Sequence, residues 1–206
     1  SDGTESHEAV LTLLCLHRAG ASIRCMPPDS PQLHVINHLT QEATDERRNG
    51  LGQSARIARG ALHDVAAVKA PDLDALIIPG GFGAAKNLSD FAVKGPAAEV
   101  HPEVSRLLHD MAAAGKPIGA ICIAPATLTR ALADRHPEVT IGSDATTAAA
   151  IESMGGRHQA RTVDMIQVDE SNRLVTTPAY MLGPGIKDVA AGIEKLVKQI
   201  MAMIPV

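Results

Sequence analysis

Aromatic residues are almost absent from the sequence, which has no Trp and only Phe82, Phe91 and Tyr180 from the rest of this class. A chain of 206 residues is long enough to bury one sizeable core. Because aromatic side chains are so few, we expect that core to be built from aliphatic residues.

The sequence also lacks an excess of positive charge and any long apolar run. The formal net charge is −4 and no basic stripe occurs, which argues against nucleic acid or an anionic membrane as a partner. No apolar run reaches the length of a membrane span. We therefore expect neither a nucleic acid nor a membrane among the partners of this chain.

Cysteine is scarce, and the three cysteines, Cys15, Cys25 and Cys122, form an odd number without paired spacing. Such usage is typical of a reducing compartment rather than of a disulfide framework. The predicted location is the cytoplasm or an organelle matrix of similar redox state. Cys15 and Cys25 are interpreted as packing residues of a helix and a strand.

Cys122 stands in a different setting, between a predicted strand and a predicted helix. The apolar run Ile118–Ile121 ends at this residue, and a helical pattern opens at Ala124 with Pro125 in its first turn. Small residues on both sides permit a sharp turn, the geometry of a nucleophile elbow, at which helix amides favour the thiolate. The alternative is a small buried hydrophobic residue at the end of a core strand.

A second turn, rich in glycine, follows the predicted strand 73–79. Gly80, Gly81 and Gly83 match neither the dinucleotide-binding pattern nor a phosphate-binding loop. An oxyanion hole fits better, with the N–H groups of Gly81 and Ile123 converging on the elbow cysteine. The alternative is a plain strand-to-helix turn.

Predicted strands and helices alternate along the chain, which indicates an α/β fold: a doubly wound, mostly parallel sheet with helices on both faces. Residues 1–206 are predicted to form one domain, with a polar excursion at about 29–60. The predicted helices are 1–20, about 45–58, 101–114, 124–132, 145–154 and 186–200, and the predicted strands are 21–26, 73–79, 118–121, 139–141, 162–169 and 174–177. Because such a domain normally opens on a strand, we expect a first strand that residues 1–206 lack.

His34 and His38 are spaced four residues apart, as metal-binding histidines on a helix can be. The residues between them lack the glutamate of an H-E-x-x-H motif and are typical of a strand. We predict no metal site there.

Five segments carry a resemblance to a known family. Residues 79–88 read PGGFGAAKNL and residues 121–125 read ICIAP, and both resemble the PfpI-like superfamily with the class I glutamine amidotransferase-like fold. Within it, DGTESHEA at 2–9, HVINH at 34–38 and VTTPAY at 175–180 are similar to the ElbB branch, the enhancing-lycopene-biosynthesis proteins. The resemblance runs nearly from end to end and implies a flavodoxin-like sheet.

The resemblance also implies which residues surround the cysteine. In the superfamily a glutamate near the start of the first helix hydrogen-bonds the cysteine sulfur; Glu8 is the favoured candidate here and Glu5 the rival. The segment after the last strand would form a pocket wall. The residues expected to bind substrate are Gly80, Gly81, Phe82, Ile123, Thr177, Pro178 and Tyr180. Superfamily members commonly pair, so we expect a homodimer.

The histidine that amidotransferases and peptidases of the superfamily carry beside the cysteine, or in a triad position downstream, is absent; Cys122 is followed by Ile123. Classical acyl hydrolysis and ammonia release are therefore poorly supported. The ElbB resemblance implies a glutathione-independent glyoxalase that acts on a small 2-oxoaldehyde and requires no metal or organic cofactor. Two alternatives stay open: a cysteine-based redox sensor linked to isoprenoid production, and a scaffold without chemistry.

Overall fold

The computed structural model describes residues 2–205 and contains eight α-helices and eight short strands within that range. The helices are α1 (Ser6–Arg18), α2 (Gly50–Ala58), α3 (Phe82–Lys86), α4 (Phe91–Lys94), α5 (Pro102–Ala113), α6 (Ala124–Ala131), α7 (Ala145–Ser153) and α8 (Ile186–Met203). The strands are β1 (Ile36–Asn37), β2 (Glu42–Ala43), β3 (Leu76–Ile78), β4 (Ile118–Ile121), β5 (Glu138–Val139), β6 (Arg157–His158), β7 (Gln167–Asp169) and β8 (Leu174–Thr177).

Four strands form the central sheet, in the order β3-β4-β8-β7. β4 lies between β3 and β8 and runs parallel to both, with Ile118 opposite Leu76 and Leu174. β7 is antiparallel to β8, and the Asp169 carboxylate closes the turn between them by accepting the Asn172 N–H at 3.1 Å. The predicted α/β fold with a mostly parallel sheet is confirmed.

Helices cover both faces of this sheet. Alternate residues of β4 point to opposite faces, so they join two different apolar clusters. Ile118 and Ala120 join an apolar cluster with residues of α5, α6 and α7. Ile121 joins a second cluster with residues of α1 and α8. Gly119 faces this second side, where a Cβ would lie 3.1 Å from Leu196 Cδ2. The core is aliphatic, as the sequence predicts.

The apolar stripe of α8 is buried against the sheet, as its helical spacing predicts. Its buried members are Val189, Ile193, Leu196, Val197 and Ile200. Within residues 2–205, no helix has both the length and the apolar composition needed to cross a lipid bilayer.

The prediction of a strand at 21–26 is wrong. Only Cys25 forms a bridge, parallel to Leu62, and its carbonyl accepts the His63 N–H at 2.9 Å. Pro27 and Pro28 have no N–H to donate, so at these positions the segment can only accept hydrogen bonds, as when the Val65 N–H donates to the Pro27 carbonyl at 3.2 Å.

Several predicted boundaries are too wide. The helix expected at about 45–58 begins at Gly50, because the Asn49 side chain caps it by accepting the Gly52 N–H. The strand expected at 162–169 begins at Gln167, since the preceding residues form a turn in which Met165 N–H donates to the Thr162 carbonyl. The strands expected at 73–79 and 139–141 are β3 and β5, which are also shorter.

Candidate active site

Cys122 occupies the sharp turn between β4 and α6. Its backbone has φ = +63°, in the left-handed region that non-glycine residues rarely enter. The strain is held by the sheet, because the Cys122 N–H donates to the Thr177 carbonyl at 2.9 Å at the end of β8. The predicted nucleophile elbow is present, and it leaves only 7% of Cys122 exposed.

Glu8 projects from the first turn of α1 into the same region and is fully buried. Its Oε2 accepts the Gly80 N–H at 2.9 Å, and its Oε1 accepts the Tyr180 N–H at 3.2 Å. The carboxyl also lies beside the Cys122 side chain, and each group shifts the pKa of the other. Three segments that are distant in sequence therefore fix one carboxyl group beside the sulfur.

Glu5, the rival candidate, has a different task. Its carboxylate accepts the Glu8 N–H at 2.7 Å and so caps α1. The side chain stays 28% exposed and lies 4.0 Å from His7 Nδ1. The carboxyl that meets the cysteine sulfur is that of Glu8.

The glycine-rich turn must be free of side chains to let these groups meet. A Cβ on Gly80 would lie 2.4 Å from Cys122 Cβ and 2.6 Å from Glu8 Oε2. Gly81 has φ = +89°, and a Cβ there would lie 2.3 Å from the Glu5 nitrogen. The turn also starts α3, so the plain strand-to-helix interpretation is true of the backbone as well.

Two backbone amides point at the cysteine, as the oxyanion-hole prediction requires. The N–H groups of Gly81 and Ile123 both lower the pKa of the Cys122 thiol, so they favour negative charge on its sulfur. One comes from the glycine-rich turn and the other from the start of α6. Donors placed in this way can stabilise negative charge on sulfur or on an adjacent oxygen.

These amides favour the thiolate, as expected, but other groups outweigh them. Burial, and then the negative charge of Glu8, raise the pKa of the Cys122 thiol to about 12, although the two amides act in the opposite direction. Burial likewise raises the pKa of Glu8 to about 7, against the hydrogen bonds from Tyr180 and Gly80. Between these values the pair carries one proton.

The other predicted substrate-binding residues differ in their burial. Thr177 is fully buried and its hydroxyl donates to the Met165 carbonyl at 2.9 Å, so it supports the turn rather than lining a pocket. Pro178 is buried. Phe82 is 49% exposed with Lys86 Nζ 4.9 Å from its ring centroid, on the surface beside the glycine-rich turn.

Tyr180 contacts His7, which was not among the site residues assigned from the sequence. Its hydroxyl is hydrogen-bonded to His7 Nδ1 at 2.7 Å, and the two ring centroids are 5.8 Å apart. On sequence grounds His7 could reach the pocket, although an exposed histidine on a helix surface is the more common case. No local pattern could reveal this contact, because its two partners are 173 positions apart.

Within residues 2–205, no group of three or more His, Cys, Asp or Glu side chains is arranged to hold a metal ion. His34 and His38 are both exposed and flank β1, and His38 Nε2 lies 3.3 Å from an Asp2 carboxylate oxygen. The interpretation of this segment as a strand is confirmed.

Comparison of the chain with known proteins shows the family to which it belongs. Residues 1–181 match the DJ-1/PfpI family. The chain belongs to that family. The mitochondrial glutamine amidotransferase-like class 1 domain-containing protein 3 of Homo sapiens is 44% identical over 212 residues, which cover 98% of this chain and 78% of that protein. The mitochondrial ES1 protein homolog of Rattus norvegicus is 42% identical over 212 residues, with 98% and 79% covered.

A solved structure is also similar over nearly all of this chain. It is an isoprenoid biosynthesis protein with an amidotransferase-like domain from Ehrlichia chaffeensis, 35% identical, with a TM-score of 0.92 over 99% of this chain and 93% of that one. This family membership is consistent with a cysteine on a strand-to-helix turn at the carboxyl end of β4, an inner strand of the sheet.

Proposed function

We propose that this protein is a glutathione-independent glyoxalase of the ElbB branch, which converts glyoxal to glycolate and methylglyoxal to lactate. The observation that carries the proposal is the pairing of Cys122 with Glu8. A carboxyl group with a pKa of about 7 beside a thiol is suited to accept and return protons near neutral pH. The isoprenoid-biosynthesis protein of similar structure supports the branch assignment.

The first step is addition of Cys122 to the aldehyde. The Glu8 carboxylate takes the thiol proton as sulfur bonds to the aldehyde carbon, and it then gives this proton to the former carbonyl oxygen. The product is a neutral hemithioacetal, and no oxidant is needed. Because the thiol keeps its proton until Glu8 removes it, the raised pKa of Cys122 is compatible with this step.

The second step moves a proton between the two oxygen-bearing carbons. Glu8, again a carboxylate, removes the proton from the carbon bonded to sulfur and delivers it to the neighbouring carbonyl carbon, while the hydroxyl proton of the hemithioacetal passes to the oxygen of that neighbouring carbon. The first carbon is thereby oxidised and the second reduced, which gives the thioester of a 2-hydroxy acid. The amides of Gly81 and Ile123 are placed to stabilise the oxyanions that form.

The third step is hydrolysis. Water adds to the thioester carbon, the carbon–sulfur bond breaks, and a proton of that water passes to sulfur, which regenerates the Cys122 thiol and releases the hydroxy acid. With 7% of Cys122 exposed, the site favours a substrate of a few heavy atoms over a bulky one. Every step uses groups of this chain, the substrate and water.

The redox-sensor alternative receives no support from this geometry. Sensor cysteines are accessible and have a lowered pKa. Cys122 is almost fully buried, and burial together with Glu8 raises its pKa. Peroxide should therefore oxidise Cys122 slowly in the absence of substrate.

Assembly and location are further proposals. We propose a homodimer, which sedimentation velocity would test, in the cytoplasm or a reducing organelle matrix. The human and rat relatives are both named as mitochondrial proteins, which supports the matrix.

The direct test is hydroxy-acid formation from glyoxal and methylglyoxal without glutathione. Cys122→Ser should abolish turnover and keep the circular dichroism and melting temperature of the wild type. Cys25→Ser is the matched control, because Cys25 is half-buried and lies at the bridge to Leu62 rather than in the turn between β4 and α6; it should keep full activity. Turnover that survives in Cys122→Ser would refute the proposal.

A further inference from the structure

The segment that follows β8 is held in a strained conformation. Pro178 is followed by Ala179, which is fully buried and has φ = +44°, a left-handed backbone that alanine rarely adopts. The segment continues as a short 3-10 turn over Ala179–Met181. Strained backbone of this kind persists only where surrounding contacts hold it.

Two of the contacts that hold it come from neighbouring residues of α1. The Tyr180 N–H donates to Glu8 Oε1 at 3.2 Å. The Tyr180 hydroxyl is hydrogen-bonded to His7 Nδ1 at 2.7 Å. One residue is therefore tied to α1 through both its backbone and its side chain, and the backbone contact falls on the carboxyl that faces Cys122.

We propose that His7 and Tyr180 form a latch whose hydroxyl–imidazole hydrogen bond keeps the Tyr180 N–H on the Glu8 carboxyl. Both are positioning residues, because they act through Glu8. The consequence for turnover rests on the proposed function, whereas the latch itself is a property of the protein without substrate. The 3-10 turn over Ala179–Met181 does not itself require a tyrosine hydroxyl at position 180. The cap of α1 is made by Glu5 and does not require a histidine at position 7.

The latch should influence how Glu8 titrates. The groups that face its carboxyl are the Gly80 and Tyr180 N–H groups, the Cys122 thiol and, within α1, the Glu5 carboxylate. The two N–H groups stabilise the ionised form, while burial and Glu5 oppose it. The Cys122 thiol also stabilises the ionised form, so if the Tyr180 N–H is released, one of three stabilising groups is lost and the pKa of Glu8 should rise.

Alkylation of Cys122 by iodoacetamide, followed by mass spectrometry of the peptide, reports this pKa without any substrate. The thiolate is the reacting species, and the pair holds two protons below the Glu8 transition and one above it. The alkylation rate of the wild type should therefore rise with pH up to about 7 and level off just above it.

Four variants test the latch. Tyr180→Phe and His7→Ala each break the hydrogen bond and should move this inflection to higher pH by up to about 0.7 unit, the full value of one ordinary hydrogen bond. The double variant should shift no further than either single variant. His7→Asn, whose amide oxygen can replace Nδ1, should restore the wild-type inflection.

The outcomes separate the latch from other roles. No shift in Tyr180→Phe, or shifts that add in the double variant, would overturn the inference. Failure of His7→Asn to restore the inflection would also overturn it, provided that its melting temperature equals that of the wild type. Since no aldehyde is used, a shifted inflection in a protein without glyoxalase turnover would support the latch and refute the proposed function alone.

Discussion

Replacing Glu8 with glutamine should make Cys122 more reactive toward an alkylating reagent while making the protein less active. The substitution removes the negative charge beside the sulfur and keeps the size of the side chain. In the wild type this charge is the second cause, after burial, of the raised pKa of Cys122. Burial stays in the variant, so the thiol should remain a weaker acid than an exposed cysteine.

The size of the effect follows from the geometry at Gly80. A Cβ at this position would lie 2.4 Å from Cys122 Cβ and 2.6 Å from Glu8 Oε2, so these two atoms are separated by about 5 Å or less. A unit charge at about 5 Å contributes about 3 kcal/mol at an effective dielectric constant of about 20. This energy corresponds to about 2 pKa units. The pKa of Cys122 should fall from about 12 in the wild type by that amount.

The assay is the pH dependence of Cys122 alkylation by iodoacetamide. The wild type should show an inflection at about 7, where Glu8 titrates, whereas Glu8→Gln should lose that inflection and react roughly tenfold faster at pH 8, with a larger ratio at higher pH. Glu5→Gln is the matched control, because Glu5 caps α1 and is not among the groups that shift the pKa of Cys122; since its charge raises the pKa of Glu8, this variant should keep the inflection and move it to lower pH. An unchanged inflection in Glu8→Gln, or an equal change in Glu5→Gln, would refute the reasoning.

Two further predictions concern stability. The pKa of Glu8 is raised from 4.5 to about 7, so the folded state binds the proton more tightly than the unfolded state. The contribution of Glu8 to the free energy of unfolding is therefore complete below about pH 4.5 and is lost as the pH rises to 7. Urea unfolding should show that the wild type loses about 3 kcal/mol of stability relative to Glu8→Gln across this range. Gly80→Ala should cost roughly 1–3 kcal/mol through overpacking at Cys122. Gly52→Ala in α2, with no atom within 4 Å of its Cβ, should instead gain about 0.5–1 kcal/mol; equal effects would contradict the packing argument.

Features encoded in consecutive residues could be predicted from the sequence. The elbow follows from an apolar strand, a small turn and Pro125 in the first turn of α6. The ends of α5 and α7 follow from Gly115 and Gly155, which have φ values of +64° and +94°. The strand at 21–26 had the right composition, but a strand also needs a hydrogen-bonded neighbour, and only the bridge to Leu62 is present.

Features that depend on burial and on distant contacts could not be predicted. The acidity of Cys122 is set by how deeply the elbow lies and by Glu8, which reaches it from another segment of the chain. Whether Glu5 or Glu8 meets the sulfur depends on which of them caps α1. Sequence similarity assigned Thr177 to a pocket wall, but its hydroxyl is used by the Met165 carbonyl. Assigning these roles requires the three-dimensional structure.

The central claim is that Cys122 and Glu8 act as one catalytic unit, and a double-mutant cycle on methylglyoxal turnover tests it most directly. The rates of Cys122→Ser, Glu8→Gln and the double variant should be compared with the wild type at pH 7.5. Each single variant should lose nearly all hydroxy-acid formation, and the double variant should lose no more than either one. A single variant that keeps half of the wild-type rate, or losses that multiply in the double variant, would contradict the claim.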